Sequence, residues 1–310
     1  MLTRQTFIGP WAGLPVAWTE NDEFDEDTYR GDVARCCKAG VPGVYTGGTT
    51  GEFYAQERDE FERIARATVE ECHRHSKPAL IGCTATSTRG ACLRAAFASQ
   101  IGADAIQIAF PFWMEIADDQ VLPFLTSVAK AARGLPLSIY ETSRAKKLLT
   151  VKQHFQIHNA LPQYMMVKAT KGTIGDSTEG CRALSEIVNV FVGEHRWAEL
   201  GPQGAIGGCS SIVYWSPRVL LRSWSRLQNR NWPELADDCR KFAAIFDGLL
   251  EAFGTRGFTD TVYDRLGGRA GPFLRTSLRC RAPYAAPNEC DVENMRGLFR
   301  QHYPEMLREE

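Results

Sequence analysis

Short apolar runs alternate with longer amphipathic segments along most of this chain. Within the segments, apolar residues recur three or four positions apart, as at Phe61, Ile64 and Ala65. Short runs predict buried strands, and this spacing predicts helices. The runs are Leu14–Trp18, Val44–Thr46, Ala79–Thr84, Ala105–Phe110, Leu137–Tyr140, Met165–Ala169, Val190–Val192 and Ile206–Ile212. The chain is therefore predicted to repeat a strand–helix unit.

The predicted helices fill the intervals between these runs. They are Thr28–Lys38, Glu57–His75, Thr88–Gln100, Gln120–Ala132, Val151–Ala160 and Glu179–Val188. Glycines follow several helix ends, at Gly40, Gly102 and Gly134, where a left-handed cap is expected. Eight such units in about 200 residues predict an α/β fold, a (β/α)8 TIM barrel. The alternative is an open doubly wound sheet, but no G-x-G-x-x-G turn follows the first run.

The strand pattern stops near Ser216. Two helices are predicted beyond it, over Glu234–Phe253 and Glu289–Leu307, with a Gly/Pro-rich link near Gly267–Pro287. We therefore expect residues 1–225 to form the barrel with the active site and residues 226–310 to form an appended C-terminal helical region.

Composition excludes several classes of protein. The chain has 36 basic and 37 acidic residues, so its net charge of −1 argues against nucleic-acid binding. No apolar run is long enough to cross a membrane, and the first ten residues lack a signal-peptide core, which predicts a cytoplasmic protein. The ten cysteines include no C-x-x-C pair and are expected to be buried thiols, with pairing of Cys280 and Cys290 left open.

The loop after the second run is rich in glycine and threonine. It reads Gly47-Gly48-Thr49-Thr50-Gly51 and presents backbone N–H groups and hydroxyls suited to an anion such as a carboxylate. It is not a P-loop, because no Lys-Ser/Thr pair follows. A tight turn without a ligand is the alternative interpretation.

Lys168 is the one lysine inside an apolar strand-like run, in a chain with nine lysines. A buried amine is costly to charge, so we expect its pKa to fall to ~7–8 and to leave a neutral nucleophile. Attack of this amine on a carbonyl gives a Schiff base. The alternative is a lysine that extends from the strand end into solvent.

Other candidates follow the fifth and seventh runs. Tyr140 ends the fifth run, where its phenol is placed to relay protons, and Glu141 beside it is either a base or a loop acid. His195 follows the seventh run, whereas His154 and His158 are expected at the surface. Because His and carboxylate ligands do not cluster, we predict no metal and no other cofactor.

The segments GGTTGEF, IYETSR, MMVKAT and VGE occur in this order after the second, fifth, sixth and seventh runs. Together they resemble the dihydrodipicolinate synthase/N-acetylneuraminate lyase family of class I aldolases and lyases, over roughly Leu14 to Ser216. The resemblance implies a TIM barrel with a helical tail. It also implies a lyase that forms a Schiff base with pyruvate or another 2-oxo acid, and in some cases an aldehyde as second substrate.

The resemblance also implies roles for individual residues. Lys168 would form the imine, and Tyr140 would shuttle protons while bonded to Thr49. Thr49 and Thr50 would hold the 2-oxo acid carboxylate, with Gly48 in the same loop. Backbone carbonyls near the amine would come from Gly193 and Ile206.

Two segments depart from the lysine-pathway synthases of this family. Their Pro-Tyr-Tyr segment, which supplies a tyrosine to a neighbouring subunit, is Pro111-Phe112-Trp113 here, and their Tyr-Asn-x-Pro-Ser-Arg motif is Tyr140-Glu141-Thr142-Ser143-Arg144. Arg144 is still expected to meet a distal carboxylate, with Glu141 near it. Trp113 and Phe112 form either an aromatic wall that favours a less polar acceptor or part of the core or an interface.

These observations leave several functions open within one fold. The chain resembles 4-hydroxy-tetrahydrodipicolinate synthase, but cleavage or dehydration of a 2-keto-3-deoxy sugar acid and hydratase-aldolase action on an aryl substrate are alternatives. A barrel that binds a ligand without turnover is a further alternative, against which the joint presence of Lys168, Tyr140 and Thr49 argues. The family resemblance also implies a homodimer or homotetramer.

Overall fold

The computed structural model describes residues 2–308, and in them eight parallel strands close into a barrel in sequence order. The terminal positions of the two predicted regions, residues 1, 309 and 310, lie outside the described residues. The strands are β1 Gly9–Gly13, β2 Val44–Thr46, β3 Ala79–Gly82, β4 Ala105–Ile108, β5 Leu137–Tyr140, β6 Tyr164–Lys168, β7 Asn189–Phe191 and β8 Ala205–Ser210. The predicted TIM barrel is confirmed.

Helices alternate with the strands and continue after the last one. They are α1 Glu26–Lys38, α2 Arg58–Arg74, α3 Thr88–Gln100, α4 Asp118–Ala131, α5 Val151–Ala160, α6 Thr178–Ser185, α7 Trp197–Leu200, α8 Ile212–Trp215, α9 Pro217–Gln228, α10 Trp232–Phe253, α11 Asp260–Ala270 and α12 Glu289–His302. Gly40, Gly102 and Gly134 have positive φ angles of 95°, 81° and 88° after α1, α3 and α4, as the caps require.

The first strand does not lie where the apolar run predicts it. β1 is Gly9–Gly13, and it pairs with β8 through Gly9 and Gly207 and with β2 through Ala12 and Val44. The run Leu14–Trp18 follows the strand and is apolar because it is buried in the core as a connecting segment. Burial without periodicity does not distinguish a strand from a buried loop.

Large side chains fill the barrel interior below its carboxyl-terminal mouth. Phe7 packs against Trp11 with ring centres 4.8 Å apart, and Met166 and Phe191 belong to the same buried cluster. Tyr45 lies in this cluster from β2. The interior is therefore a packed core that supports side chains at the mouth.

The C-terminal helices share one continuous hydrophobic core with the barrel. Helix α9 runs across residue 225, the predicted boundary, so the division into two regions stays a prediction. Helix α11 lies partly in the segment predicted as a Gly/Pro-rich link. Its glycines are required by packing, because a Cβ on Gly267 would lie 2.1 Å from the indole of Trp215. In the described chain, no helix is long and apolar enough to cross a membrane.

Candidate active site

Lys168 and Tyr140 end adjacent strands at the mouth of the barrel. They are partners in the register of β6 and β5, so their side chains extend from the same level. The Lys168 Nζ lies 3.9 Å from the centre of the Tyr140 ring and 5.8 Å from that of Tyr45. The amine is thus held against aromatic faces rather than extended into bulk solvent.

The glycine–threonine loop after β2 approaches the amine closely. Gly47 has a φ of +75°, and a Cβ on Gly48 would lie 2.3 Å from the Tyr45 hydroxyl, so both positions need glycine. This geometry places the Thr49 Oγ1 3.5 Å from the Tyr140 hydroxyl. The loop therefore lies beside Tyr140 and Lys168 at the mouth of the barrel.

A cavity of about 350 Å³ connects these groups, and we call it the donor cavity. Its lining residues are Thr49, Thr50, Tyr140, Lys168, Cys209, Ser211, Phe246, Leu249, Leu250, Asp260, Tyr263 and Asp264. It brings one amine, two phenols, three hydroxyls and two carboxyls into one small volume. Such convergence of polar groups is typical of an active site.

The pKa of Lys168 does not fall as the sequence predicts. Burial lowers the pKa of the ammonium, but Tyr140, Cys209 and Asp260 raise it by more, so it lies above the ordinary value of a lysine. The prediction is wrong because it considered only burial and not the acidic groups around the amine. Lys168 therefore rests as an ammonium and must lose a proton before it attacks a carbonyl.

Helix α11 supplies acidic residues that sequence reasoning missed. Asp264 accepts a hydrogen bond from the Thr50 hydroxyl at 2.6 Å, and Thr261 donates its hydroxyl to the Thr50 carbonyl at 2.8 Å. Burial raises the pKa of the Asp264 carboxyl to about 7, whereas hydrogen bonds from Thr50 and Ser211 lower it. Helix α11 thus fixes the threonine predicted to hold a carboxylate.

A buried ion pair fixes α11 against the glycine–threonine loop. Arg265 donates to Glu52 at 2.6 Å and to the Val16 carbonyl at 2.7 Å, and both charged side chains are fully buried. Glu52 also accepts from the Trp18 indole at 2.8 Å. The signal for this helix in the sequence is Thr259 before the apolar positions Val262 and Leu266, which are four apart.

A second cavity of about 370 Å³ adjoins the first and shares Thr49, Tyr140 and Asp260 with it. We call it the acceptor cavity, because it shares Tyr140 with the donor cavity but is not lined by Lys168. Five aromatic residues line it, and we call them the aromatic wall: Phe53, Tyr54, Phe112, Phe258 and Tyr284. Its remaining residues are Thr84, Ala109, Thr142, Arg144, Ala145 and Thr259.

The structure separates the two aromatic residues predicted after β4. Phe112 lines the acceptor cavity and meets Phe53 edge to face with ring centres 5.7 Å apart. Trp113 is 75% exposed and does not belong to the cavity lining, so its predicted contact with substrate is not formed within this chain. The chain bends at Phe112 and Trp113 after β4, and the two side chains diverge there, so that one packs on Phe53 and the other is exposed.

Arg144, which is predicted to meet a distal carboxylate of the substrate, lines the acceptor cavity and already has a charged partner within the protein. Its guanidinium donates to the Asp260 carboxylate at 2.9 Å, and both side chains are about half exposed. Asp260 is the first residue of α11, where the helix dipole favours a negative charge.

Glu141 was expected near substrate, yet its carboxylate makes only structural contacts. It accepts from the Leu149 backbone N–H at 2.8 Å and pairs with the His154 ring at 3.2 Å. His154 was expected at the surface but is fully buried, with its other ring nitrogen 2.8 Å from the Tyr164 hydroxyl. The strand end turns Glu141 away from Tyr140, so it orients the loop before α5.

Strand β8 contributes Cys209 rather than Ile206 beside the amine. Ile206 is the second residue of β8 and lines a cavity at the opposite end of the barrel, together with Ile8 and Trp224. Cys209 lies three residues nearer the mouth and lines the donor cavity with Lys168. The structure therefore places Ile206 away from the cavities that Lys168 lines, because it lies near the amino end of β8 whereas Lys168 is the last residue of β6.

Gly193 and His195 lie on the other side of Lys168. Both line a further cavity of about 400 Å³ that includes Lys168, and the Gly193 carbonyl accepts from the Arg196 N–H at 2.9 Å. His195 packs edge to face on Phe246, and burial lowers its pKa, so it is a neutral ring at pH 7. Across residues 2–308, no group of three or more His, Cys, Asp or Glu side chains is arranged to hold a metal ion.

A family model described as the dihydrodipicolinate synthetase family matches residues 7–249 of the chain. The chain belongs to this family. The match covers the whole barrel and most of α10, and it confirms the resemblance drawn from the strand-end motifs. The family assignment thus agrees with the assembled pair of Lys168 and Tyr140.

The relatives of this chain described below share less than a quarter of its residues. The N-acetylneuraminate lyase of Enterobacter sp. (strain 638) is 24% identical over 94% of this chain and 96% of its own length. YagE from E. coli K12, solved in complex with pyruvate, has a TM-score of 0.84 and 19% identity over 95% of this chain and 98% of its own. A sialic acid aldolase of Ruminococcus gnavus has a TM-score of 0.86 and 16% identity over 99% of this chain and 98% of its own. These structures share the fold.

Proposed function

We propose that this protein is a class I lyase that forms a Schiff base between Lys168 and the keto carbon of pyruvate or another 2-oxo acid. The observation that carries the proposal is the position of the Lys168 Nζ, 3.9 Å from the Tyr140 ring in a cavity that also holds Thr49 and Thr50. Membership of the dihydrodipicolinate synthetase family confirms the expected enzyme class. The pyruvate bound by YagE supports a 2-oxo acid as substrate.

The hydroxyls of the donor cavity match the carboxylate of a 2-oxo acid. Thr49 lies within reach of Tyr140, and Thr50 is held by Asp264 and Thr261 from α11. A carboxylate placed at the threonines would direct the keto carbon toward Lys168. Fixing a substrate in this way gives the amine a high effective concentration.

Imine formation requires several proton transfers, and groups of the donor cavity can carry them out. The Lys168 ammonium first loses a proton, the amine attacks the keto carbon, and the carbinolamine oxygen takes up protons and leaves as water. The Tyr140 side chain lies against the Lys168 amine, so its hydroxyl delivers and recovers these protons. Loss of a proton from C3 then gives an enamine, with the imine nitrogen accepting the electron pair.

The enamine is common to aldol addition, retro-aldol cleavage and dehydration. The lysine-pathway condensation uses a tyrosine after strand four, where this chain has Phe112 and the exposed Trp113. We therefore favour an aldolase or lyase with another acceptor. Neither a metal nor an organic cofactor enters these steps.

We also propose that the protein is a homodimer or homotetramer in the cytoplasm. Trp113 and Met114 are 75% and 72% exposed next to the acceptor cavity, a large apolar surface for a free monomer. None of the ten cysteines, which all lie within residues 2–308, forms a disulfide, and this fits a reducing compartment. Light scattering during gel filtration would give the mass, and a monomer would contradict the proposed assembly.

Borohydride reduction in the presence of pyruvate tests the proposed chemistry. We expect a mass increase that corresponds to one reduced pyruvate imine on the peptide containing Lys168. Longer 2-oxo acids tested in parallel define the preferred donor. Absence of an adduct with every 2-oxo acid would overturn the lyase assignment and favour a barrel that only binds its ligand.

A further inference from the structure

The acceptor cavity has a chemistry of its own that the family assignment does not specify. Its main surface is the aromatic wall, in which Phe53 meets Phe112 at 5.7 Å and Tyr54 meets Tyr284 at 4.9 Å, both edge to face. These side chains come from the loops after β2 and β4 and from the segments around α11. Such packing leaves ring faces and edges available to a flat apolar ligand.

The charged groups of this cavity neutralise each other. Arg144 and Asp260, which both line the cavity, form an ion pair of 2.9 Å. An anionic acceptor would have to separate this pair and would then face the carboxylate of Asp260. The charge of Arg144 is therefore not available to an anion in this arrangement.

The hydroxyls of the cavity are partly committed to the protein. The Thr84 Oγ1 accepts from the Ala109 N–H at 3.0 Å, and the Thr142 Oγ1 accepts from the Arg144 N–H at 3.3 Å. Each retains one O–H to donate, and the hydroxyls of Thr49, Tyr54, Tyr140, Thr259 and Tyr284 also line the cavity. The aromatic wall and these neutral donors suit a ligand with an apolar ring and a carbonyl oxygen.

We propose that the second substrate is an uncharged aromatic aldehyde, held on the aromatic wall and selected against anionic aldehydes by the pairing of Asp260 with Arg144. This inference rests on the proposed function. The enamine C3 attacks the aldehyde carbon, the new C–C bond forms as the carbonyl π bond breaks, and the oxygen takes a proton from Tyr140. Water then hydrolyses the imine and releases the 4-hydroxy-2-oxo acid and the amine.

The position of Tyr140 supports this assignment of the two cavities. Tyr140 lines both cavities, with Lys168 in the lining of one and the aromatic wall in the lining of the other. The enamine in the donor cavity and the aldehyde in the acceptor cavity would thus meet at one phenol. A cavity of about 370 Å³ is large enough for one aromatic ring with small substituents.

Competition between aldehydes tests the proposal with the full-length enzyme and pyruvate. We expect kcat/KM for benzaldehyde to be at least about tenfold higher than kcat/KM for succinic semialdehyde, which is an anionic aldehyde of similar length. Asp260→Asn should shift the ratio of the two values toward succinic semialdehyde by about tenfold. Both reactions pass through the same enamine, so any effect of Asp260 on Lys168 cancels in the ratio.

A second pair of variants tests the aromatic wall. Phe112→Leu should lower kcat/KM for benzaldehyde by about tenfold, because an edge-to-face ring contact is lost. Phe97→Leu is the matched control. Phe97 of α3 packs against Phe61 of α2 and does not line the cavity, so this substitution should leave the value unchanged.

The result also separates this inference from the proposed function. A preference for succinic semialdehyde, or an Asp260→Asn ratio equal to that of the parent enzyme, overturns the inference if borohydride still traps pyruvate on Lys168. Absence of the trapped imine overturns the proposed function itself.

Discussion

The donor and acceptor cavities share Tyr140 but are assembled in different ways. The donor cavity takes its reactive groups from the ends of adjacent strands, where Tyr140 and Lys168 are register partners. The acceptor cavity takes its lining from loops and from α11, with Phe53 and Phe258 more than 200 positions apart in the chain. Strand ends are fixed by backbone hydrogen bonds, whereas the loops depend on side-chain packing.

This difference suggests a division of tasks within the site. The strand ends hold the groups of a Schiff-base reaction, and the loops with α11 determine which partner meets the enamine. Substitutions at strand ends should therefore change the rate of chemistry, and substitutions on α11 should change orientation, selectivity and stability.

Removal of the amine should have the largest effect. We expect Lys168→Ala to abolish turnover and borohydride labelling with pyruvate, because no other amine lies in the donor cavity. Circular dichroism should show an unchanged barrel, since Lys168 contributes no ion pair among the described residues. Residual turnover at the parent rate would overturn the Schiff-base assignment.

Removal of the Tyr140 hydroxyl should slow the reaction without preventing imine formation. We expect Tyr140→Phe to lower kcat by about 10²–10⁴-fold, the usual contribution of a positioned acid–base group. The retained ring still packs against Lys168, so slow trapping of pyruvate should persist. Unchanged steady-state kinetics would contradict the proton relay.

Loss of the buried ion pair between Arg265 of α11 and Glu52 should destabilise the protein. Arg265→Ala should reduce the free energy of unfolding by about 3–5 kcal/mol, because it leaves the Glu52 carboxylate buried without its partner. Denaturant titration measures the change. Arg269→Ala is the control on the same helix, where an exposed pair with Glu289 is worth little, about 0–1 kcal/mol. Equal effects would mean that the buried pair does not hold α11.

The carboxyl of Asp264 should make substrate binding depend on pH. Its pKa of about 7 means that below this pH the neutral acid donates to Thr50 and leaves the Thr50 O–H free for a carboxylate. Above it the carboxylate accepts that hydrogen. Lys168, Asp260 and the Tyr214 phenol also face this group. We expect KM for pyruvate to rise about tenfold between about pH 6 and about pH 8.

Asp264→Asn should remove this dependence, because the amide donates to Thr50 at every pH. Stability gives a second readout. The carboxyl titrates at ~3.9 in the unfolded chain, so between that value and about 7 the folded protein holds an extra proton and its stability falls as pH rises. The variant should lack this fall. A variant with the same pH profile as the parent enzyme would contradict the role of Asp264.

Sequence reasoning identified the strand-end groups but misjudged their surroundings. Lys168, Tyr140, Thr49 and Thr50 converge as expected, because parallel strands bring their ends to one rim. Glu141 was indistinguishable in sequence from a site residue, yet a single peptide step turned it toward His154. The site roles themselves stay predictions until the variants are measured.

The sequence by itself determined the barrel and the order of its reactive strand ends, because both follow from local periodicity and from which residues end each run. Tertiary structure alone decided the rest. It brought Asp260 and Asp264 of α11 beside Lys168, raised the pKa of the amine through acidic neighbours, and placed Phe112 inside a cavity that excludes Trp113. These outcomes depend on distances between residues far apart in the chain, which periodicity does not encode.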